Sequence, residues 1–344
     1  MGRMVYLSRC YRNLTSAGNK AKTDNEKTME LMGFRNIGLP QTMGKNKVYI
    51  FFYDLLSVLK AIIMLRRGDK LVLQYPVKKY FSFICFMAHL KGAKTMALIH
   101  DLGSFRRKKL TVRKEIHRLS HADFVIASND RMKSWLENHG LTTQMGALGL
   151  FDYRSPSTPQ SYQHTIGQPY HIVYAGSLAM RKNAFFLQTP PYVKGFELHI
   201  YGDGDRMPAL KREKNFIFHG FQPADRFITS VGGDFGLVWD GDSLDGCTGS
   251  FGEYLKVNSP HKVSFYLRAG LPVIIWKEAA LAPFIEQEGI GITISSIREL
   301  PQRLANISAD DFSLMRQRVC RVARQLSQGT FFQKAIEEAL RNME

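Results

Sequence analysis

The residues able to do chemistry sit where apolar runs of this sequence stop. His100-Asp101 closes one such run, and either group can take a proton from a hydroxyl once its surroundings tune its pKa. The plainer reading makes Asp101 a loop or cap residue. Gly176-Ser177-Leu178-Ala179-Met180-Arg181-Lys182-Asn183 follows another run. There a glycine lets backbone approach a ligand, a serine supplies a hydroxyl, and the Arg-Lys pair can meet a phosphate. An ordinary turn with exposed charges would read the same way. In Asn258-Ser259-Pro260-His261-Lys262, Ser and Pro open a helix and put Lys262 in its first turn, against the helix dipole. An anion held close by would neutralise both, because helix N-termini bind phosphates. A solvated lysine is the alternative.

Four further stretches are more ambiguous. Gly202-Asp203-Gly204-Asp205 and Trp239-Asp240-Gly241-Asp242 each offer alternate carboxylates able to share a hard cation, yet Asp-Gly is also common turn chemistry. Ser16-Ala17-Gly18-Asn19-Lys20-Ala21 follows the first apolar run, either as a loop that curls around a ligand or as a plain polar one. Arg106-Arg107-Lys108-Lys109, continued by Arg113, Lys114 and Arg118, suits lipid headgroups or a pyrophosphate, or is merely solvated.

The elements that must position these residues alternate. Strands are expected at Met4–Ser8, Arg35–Gly38, Lys70–Tyr75, Lys94–His100 and Asp123–Ser128. Helices are expected at Asn25–Met32, Val48–Arg67, Phe81–Leu90, Val112–His121 and Arg131–Asn138. Ser155-Pro156-Ser157-Thr158-Pro159-Gln160 interrupts the pattern as a linker. Strands resume at His171–Ala175, Glu197–Tyr201, Phe216–His219, Phe235–Trp239, Val273–Trp276 and Gly291–Ile294, and Ala309–Met343 is helical except at Gly329. Alternation of this kind builds parallel sheets from βαβ units, so the fold expected is α/β with two Rossmann-like domains. The boundaries read as 1–155, a linker 156–169, 170–327 and a C-terminal helix 328–344. Ligands of open α/β sheets sit at the carboxyl ends of the strands, and two such domains facing each other make a cleft.

Composition narrows the class. The chain has 344 residues, 44% hydrophobic and 22% charged, which suits two domains and excludes disorder. The most apolar stretch, Val48 to Leu65, is interrupted by Asp54 and Lys60 and reads as a buried amphipathic helix, not a span. The start is unlike a signal peptide, so a cytoplasmic protein is expected. Four scattered cysteines with no CxxC pair suggest buried thiols. Of the formal charge of +17, residues 1–160 carry +16, from 27 Lys and Arg against 11 Asp and Glu. An anionic partner for the first half follows: nucleic acid, a membrane face or a pyrophosphate-linked substrate. No P-loop, GxGxxG, nucleophile elbow or HExxH is present.

The Gly-Ser-Leu…Arg loop, the block Asn258-Ser-Pro-His-Lys262…Ala-Gly-Leu-Pro-Val-Ile274, Ser16–Ala21 and Ile99-His-Asp-Leu102 together resemble GT-B glycosyltransferases. The likeness is to the group of bacterial β-1,6-galactofuranosyltransferases and glucosyltransferase 3-like enzymes, and it covers nearly the whole chain. It implies a hexose, galactofuranose or glucose, moved from a UDP-sugar to a glycan acceptor of a surface polysaccharide, a lipid or a glycoprotein. By the same resemblance Arg181 and Lys262 contact the diphosphate, with Ser177, Asn258 and Gly176 supporting. Tyr201 and Phe221 lie near the nucleoside, Asp240 near the sugar, and Ser16 and Gly18 in the donor loop. The acceptor, or a membrane surface, meets Arg106, Arg107, Lys108 and Lys109, and the last helix crosses back to the first domain.

The large retaining GT-B group carries a glutamate ahead of its Ala-Gly-x-Pro-Val segment. Here the helix reads Lys262-Val-Ser-Phe-Tyr-Leu-Arg-Ala-Gly270, without a carboxylate. That fits an inverting enzyme, with Asp101 and His100 as the base and fixed cations, not a metal or cofactor, stabilising the leaving UDP. The group includes oligomers, which leaves self-association open. Two rivals remain at this point. One is a catalytically silent partner or glycan-binding subunit. The other is a nucleic-acid-binding protein, for which no stacking-aromatic or helix-turn-helix signature speaks.

Overall fold

Uninterrupted apolar runs such as Leu71-Val72-Leu73 and Met96-Ala97-Leu98-Ile99 suit strands covered on both faces, as parallel sheets are. The computed structural model describes residues 2–11, 17–77, 80–106, 110–160, 164 and 168–344, with the backbone alone described at Ala17, Gly18 and Arg106. It divides into two units: residues 1–152 with 328–344, and residues 153–327.

The first unit contains β1 (Met4–Tyr6), β2 (Cys10–Tyr11), α1 (Ala17–Leu31), β3 (Arg35–Asn36), β4 (Thr42–Met43), α2 (Lys47–Met64), β5 (Lys70–Tyr75), α3 (Phe81–Leu90) and β6 (Lys94–Ile99). There follow α4 (Gly103–Arg106), α5 (Val112–Leu119), β7 (Phe124–Ala127), α6 (Asp130–Asn138) and β8 (Gln144–Ala147). Six of these strands form a parallel sheet in the order β3-β1-β5-β6-β7-β8, and β2 pairs with β4. Its core joins Val72, Met96, Leu98, Phe124 and Ile126 to Phe332, Ile336 and Ala339 near the chain's end.

Two expectations are corrected in this unit. Residues 17–21, expected in a loop, begin α1. Val48–Leu65 is not a buried helix: α2 buries Ile50, Ser57, Val58, Ala61 and Ile62 on one face but carries large apolar residues on its exposed face as well. β8 and the short β2–β4 pair have no apolar run to announce them.

The second unit contains β9 (Tyr170–Ala175), α7 (Met180–Asn183), β10 (Phe196–Tyr201), β11 (Phe216–Phe218), α8 (Ala224–Ser230), β12 (Phe235–Val238) and α9 (Gly249–Leu255). It continues with α10 (His261–Arg268), β13 (Val273–Trp276), α11 (Ala282–Glu288), β14 (Gly291–Ile294), α12 (Leu300–Ala305) and α13 (Ala309–Gln328). Its parallel sheet runs β11-β10-β9-β12-β13-β14. The two units divide between Asp152 and Tyr153, and Arg268 holds the carbonyls of Ser155 and Ser157 against the second.

Gly329, at φ +80°, separates α13 from α14 (Thr330–Asn342) and returns the chain to the first unit. There the Asp152 carboxylate accepts from the amides of Phe331 (3.3 Å) and Phe332 (2.7 Å), capping the positive end of α14. Cys10, Cys85 and Cys247 are buried as expected, whereas Cys320 on α13 is exposed.

Candidate functional site

The strand ends of the second unit gather several of the residues singled out by sequence. β9 ends at Ala175, whose amide is held by the Tyr266 hydroxyl at 2.8 Å, and the chain turns at Gly176 with φ +146°. A side chain at Gly176 would meet Lys262: an added Cβ would lie 3.1 Å from Lys262 Cε and 3.4 Å from Nζ. The glycine thus admits the lysine tip to the backbone, a contact invisible in either motif alone.

Lys262 lies in the first turn of α10, as its Ser-Pro entry indicates, although Pro260 supplies no side-chain cap. Its Nζ is buried, has no hydrogen-bond partner, and rests 3.5 Å from the ring centroid of Tyr174. Burial, and then the charge of Lys182, push this ammonium well below the ordinary lysine range, against the pull of Asp240. A buried cation at a helix N-terminus, facing ring and backbone without an acceptor, is a costly arrangement for the free protein. The Oδ1 of Asn258, four residues earlier, is likewise buried without a partner.

The loop after Gly176 is pinned by Asn183, which accepts from the buried Tyr174 hydroxyl and donates to the Ser177 carbonyl at 2.6 Å. Ser177 Oγ accepts from Arg206 Nη1 at 3.1 Å. Lys182 pairs with Asp240 at 3.1 Å, and Gly241 N donates to the Lys182 carbonyl at 2.6 Å, tying α7 to the end of β12. Arg181 is exposed, its guanidinium 5.2 Å from the Phe251 ring. Gly176, Ser177, Asp240 and Lys262 are therefore joined by contacts through Tyr174, Asn183 and Lys182. Sequence reasoning noted the Arg-Lys pair but singled out Arg181, whereas Lys182 is the cation that senses Lys262. Arg206 had no signal, because it stands behind a turn.

Tyr201, at the end of β10, is buried and stacks on His219 with centroids 4.4 Å apart and planes at 10°. Phe221 is 79% exposed, and the neighbouring Gln222 Oε1 is buried without a partner. The Asp-Gly-Asp segments are engaged by the protein: Asp203 pairs with Arg206, Asp205 with Lys211, and Asp242 accepts from Thr248. Among the described residues, metal-competent atoms converge elsewhere, at His171, Glu197 and His199 on β9 and β10. His199 Nδ1 meets His219 Nε2 at 3.0 Å, and burial followed by the charge of His171 pushes His199 down to about 4.

In the first unit, His100 follows β6, stacks on Phe151 with centroids 5.0 Å apart, and meets Gln74 Oε1 through Nε2 at 3.0 Å. Asp101 is partly buried between β6 and α4. Gly18 lies in the first turn of α1, and Arg106 ends α4. Ser16, Arg107, Lys108 and Lys109 lie outside the described residues.

Comparison with known proteins gives the family and the fold. The family model described as glucosyltransferase 3-like, N-terminal domain, matches residues 4–150, and the C-terminal domain model matches residues 172–339. The chain is 29% identical over 277 residues to the β-1,6-galactofuranosyltransferase WbbI of Escherichia coli K12, covering 80% of each chain. It is 23% identical over 324 residues to glucosyltransferase 3 of Streptococcus gordonii, covering 88% of this chain and 91% of the other. The fold matches the apo structure of the lipopolysaccharide outer core galactosyltransferase WaaB with a TM-score of 0.61 at 12% identity, over 98% of this chain and 99% of that one. With both domain models matched in order along it and two doubly wound sheets to carry them, the chain belongs to the glucosyltransferase 3-like family and is a glycosyltransferase of GT-B fold.

Proposed function

We propose that the second unit binds the diphosphate of a UDP-sugar at Lys262, the Gly176-Ser177 turn and the first turn of α10, with Arg181 and Lys182 as further cations. The observation that carries this is the buried Lys262 ammonium with no hydrogen-bond partner, beside a glycine whose missing side chain gives it room. A pyrophosphate oxygen supplies the acceptor that the free protein lacks. Asn258 turns its unpartnered Oδ1 to a ligand hydroxyl, Tyr201 and Phe221 line the nucleoside end, and Asp240 faces the sugar.

The hexose is galactofuranose or glucose, following the names of the two relatives. In the reaction an acceptor hydroxyl oxygen attacks the anomeric carbon, and the bond to the β-phosphate oxygen breaks with its electron pair leaving on UDP. Lys262 and Lys182 meet that developing charge without reorganising, which is electrostatic catalysis. The hydroxyl proton passes to Asp101, with His100 alongside. The absence of a carboxylate between Lys262 and Gly270 supports inversion, and so does the β linkage in the WbbI name, which inversion of an α-linked nucleotide sugar would give. Fixed cations make a metal unnecessary for this step. The acceptor is a glycan, lipid-linked or on a protein, met by the basic first unit at Arg106–Lys109.

The test is the anomeric configuration of the product formed from UDP-galactofuranose or UDP-glucose, read by proton NMR in the presence of EDTA. A β product supports the reading. An α product overturns inversion, and turnover that needs added metal overturns the electrostatic role given to the lysines.

A further inference from the structure

A surface helix is ordinarily apolar on one side only, because its other side faces water. α2 departs from this. Val48, Phe52, Leu56 and Ile63, spaced as a stripe along its outer face, are between 54% and 76% exposed, and Phe86 and Leu90 of α3 fall in the same range. Asn46 caps α2 by accepting from the Val48 amide at 2.8 Å, so its N-terminus is a formed helix end. At the other end Lys91 donates to the carbonyls of Ile63 and Leu65, both at 3.1 Å, and sets the end of α3 beside that of α2. The two stripes thus form one apolar face. On a monomer such exposed apolar residues are normally scattered singly.

Charge selects what covers this face. Residues 45–94 contain ten Lys and Arg and two acids, Asp54 and Asp69. Both acids are buried and paired, Asp54 with Arg9 at 3.2 Å and Asp69 with Arg3 at 2.6 Å. Among its described residues Lys47 and Lys60 of α2 and Arg66 and Arg67 just beyond it are exposed, and neither acid is. A second copy pairing through the same face would set these cations against their own copies. An anionic lipid surface complements both features, with apolar side chains in the acyl boundary and Lys and Arg at the headgroups.

We infer that the α2–α3 face docks the chain on an anionic bilayer. No described helix is long and apolar enough to cross a membrane, so α2 lies in the interface, not through it. The inference deepens the reading of a lipid-linked acceptor. Its test uses no sugar donor, so it stands or falls apart from the nucleotide assignment.

The experiment is flotation of the full chain with vesicles of phosphatidylglycerol in phosphatidylcholine, and with pure phosphatidylcholine. It is repeated with the double variant Phe52→Glu/Ile63→Glu, whose positions are exposed. UDP titration of that variant is the folding control. The wild type should float with anionic vesicles and much less with neutral ones, and the variant should lose about tenfold or more of the affinity while binding UDP as before. Failure of the wild type to float overturns the inference. Equal flotation of wild type and variant also overturns it, by moving the contact to another basic stretch. So does sedimentation showing a wild-type dimer that the double variant dissolves, because the face would then be a self-association surface.

Discussion

Replacing Lys262 by methionine should stabilise the free protein and weaken nucleotide binding at once. Methionine keeps an unbranched stem of similar length in the room that Gly176 leaves, so the packing there is retained while the charge is removed. A buried charged group without a hydrogen-bond partner costs about 3 kcal/mol or more. Contact with the Tyr174 ring at 3.5 Å returns part of this, about 1–2 kcal/mol for a desolvated cation–π pair. The net gain for the variant is therefore about 1–2 kcal/mol. For a unit the size of residues 153–327, that raises the melting temperature by roughly 2–8 °C.

In the complex the same ammonium makes a charge-assisted hydrogen bond of about 1.5–3 kcal/mol, so UDP affinity should fall roughly 10- to 150-fold. Scanning calorimetry and isothermal titration read the two effects. Proton linkage supplies a third. The folded-state pKa of Lys262 is depressed, so the unfolded chain holds more protons between that value and the ordinary lysine range. Stability then rises with pH across that window, and the advantage of the variant shrinks with it. A phosphate beside Lys262 restores the proton, so UDP binding at alkaline pH should take up protons, seen as a dependence of the observed heat on buffer ionisation enthalpy. A variant that melts lower than the wild type, or one that binds UDP unchanged, would refute the reasoning.

Gly176→Ala should cost about 1–3 kcal/mol through its φ of +146° and displace the Lys262 tip, lowering both melting temperature and UDP affinity. Unaltered UDP binding would show the turn to be uninvolved. Asp101→Ala should leave UDP affinity intact and reduce turnover about 10²- to 10⁴-fold; intact turnover removes it as the base. His199, facing His171, Glu197 and His219, is held down to about 4, so the unfolded chain binds its proton first as pH falls. Stability should then decline between about pH 6.5 and 4. His199→Asn should flatten that limb of a denaturation series, and an unchanged slope would assign the acid limb to other groups.

Much of the fold was legible because each buried parallel strand needs a short, continuous apolar run. Lys70–Tyr75, Val273–Trp276 and Gly291–Ile294 have the ends expected of them. β8, Gln144–Ala147, was not legible, since a Gln-Met-Gly-Ala edge strand is defined by pairing with β7 and not by its own residues. The start of α1 was obscured by small and polar residues that lack a helical apolar period. At the site, the conflict of Lys262 with the helix dipole was readable from spacing alone. Its burial was not, because that depends on Tyr174 and Gly176 arriving from a strand almost ninety residues earlier. The outer face of α2 was not legible for a related reason: a run this apolar implies burial, and sequence does not say which of its residues the fold leaves exposed.

The proposed role of the second unit is to bind a nucleotide diphosphate at Lys262. Titration of the pure protein with UDP, GDP and a dinucleotide by calorimetry, with EDTA present, tests it most directly. The account predicts metal-free binding selective for UDP and sharply weakened by Lys262→Met. Binding of none of the three, or equal binding by wild type and variant, would contradict it.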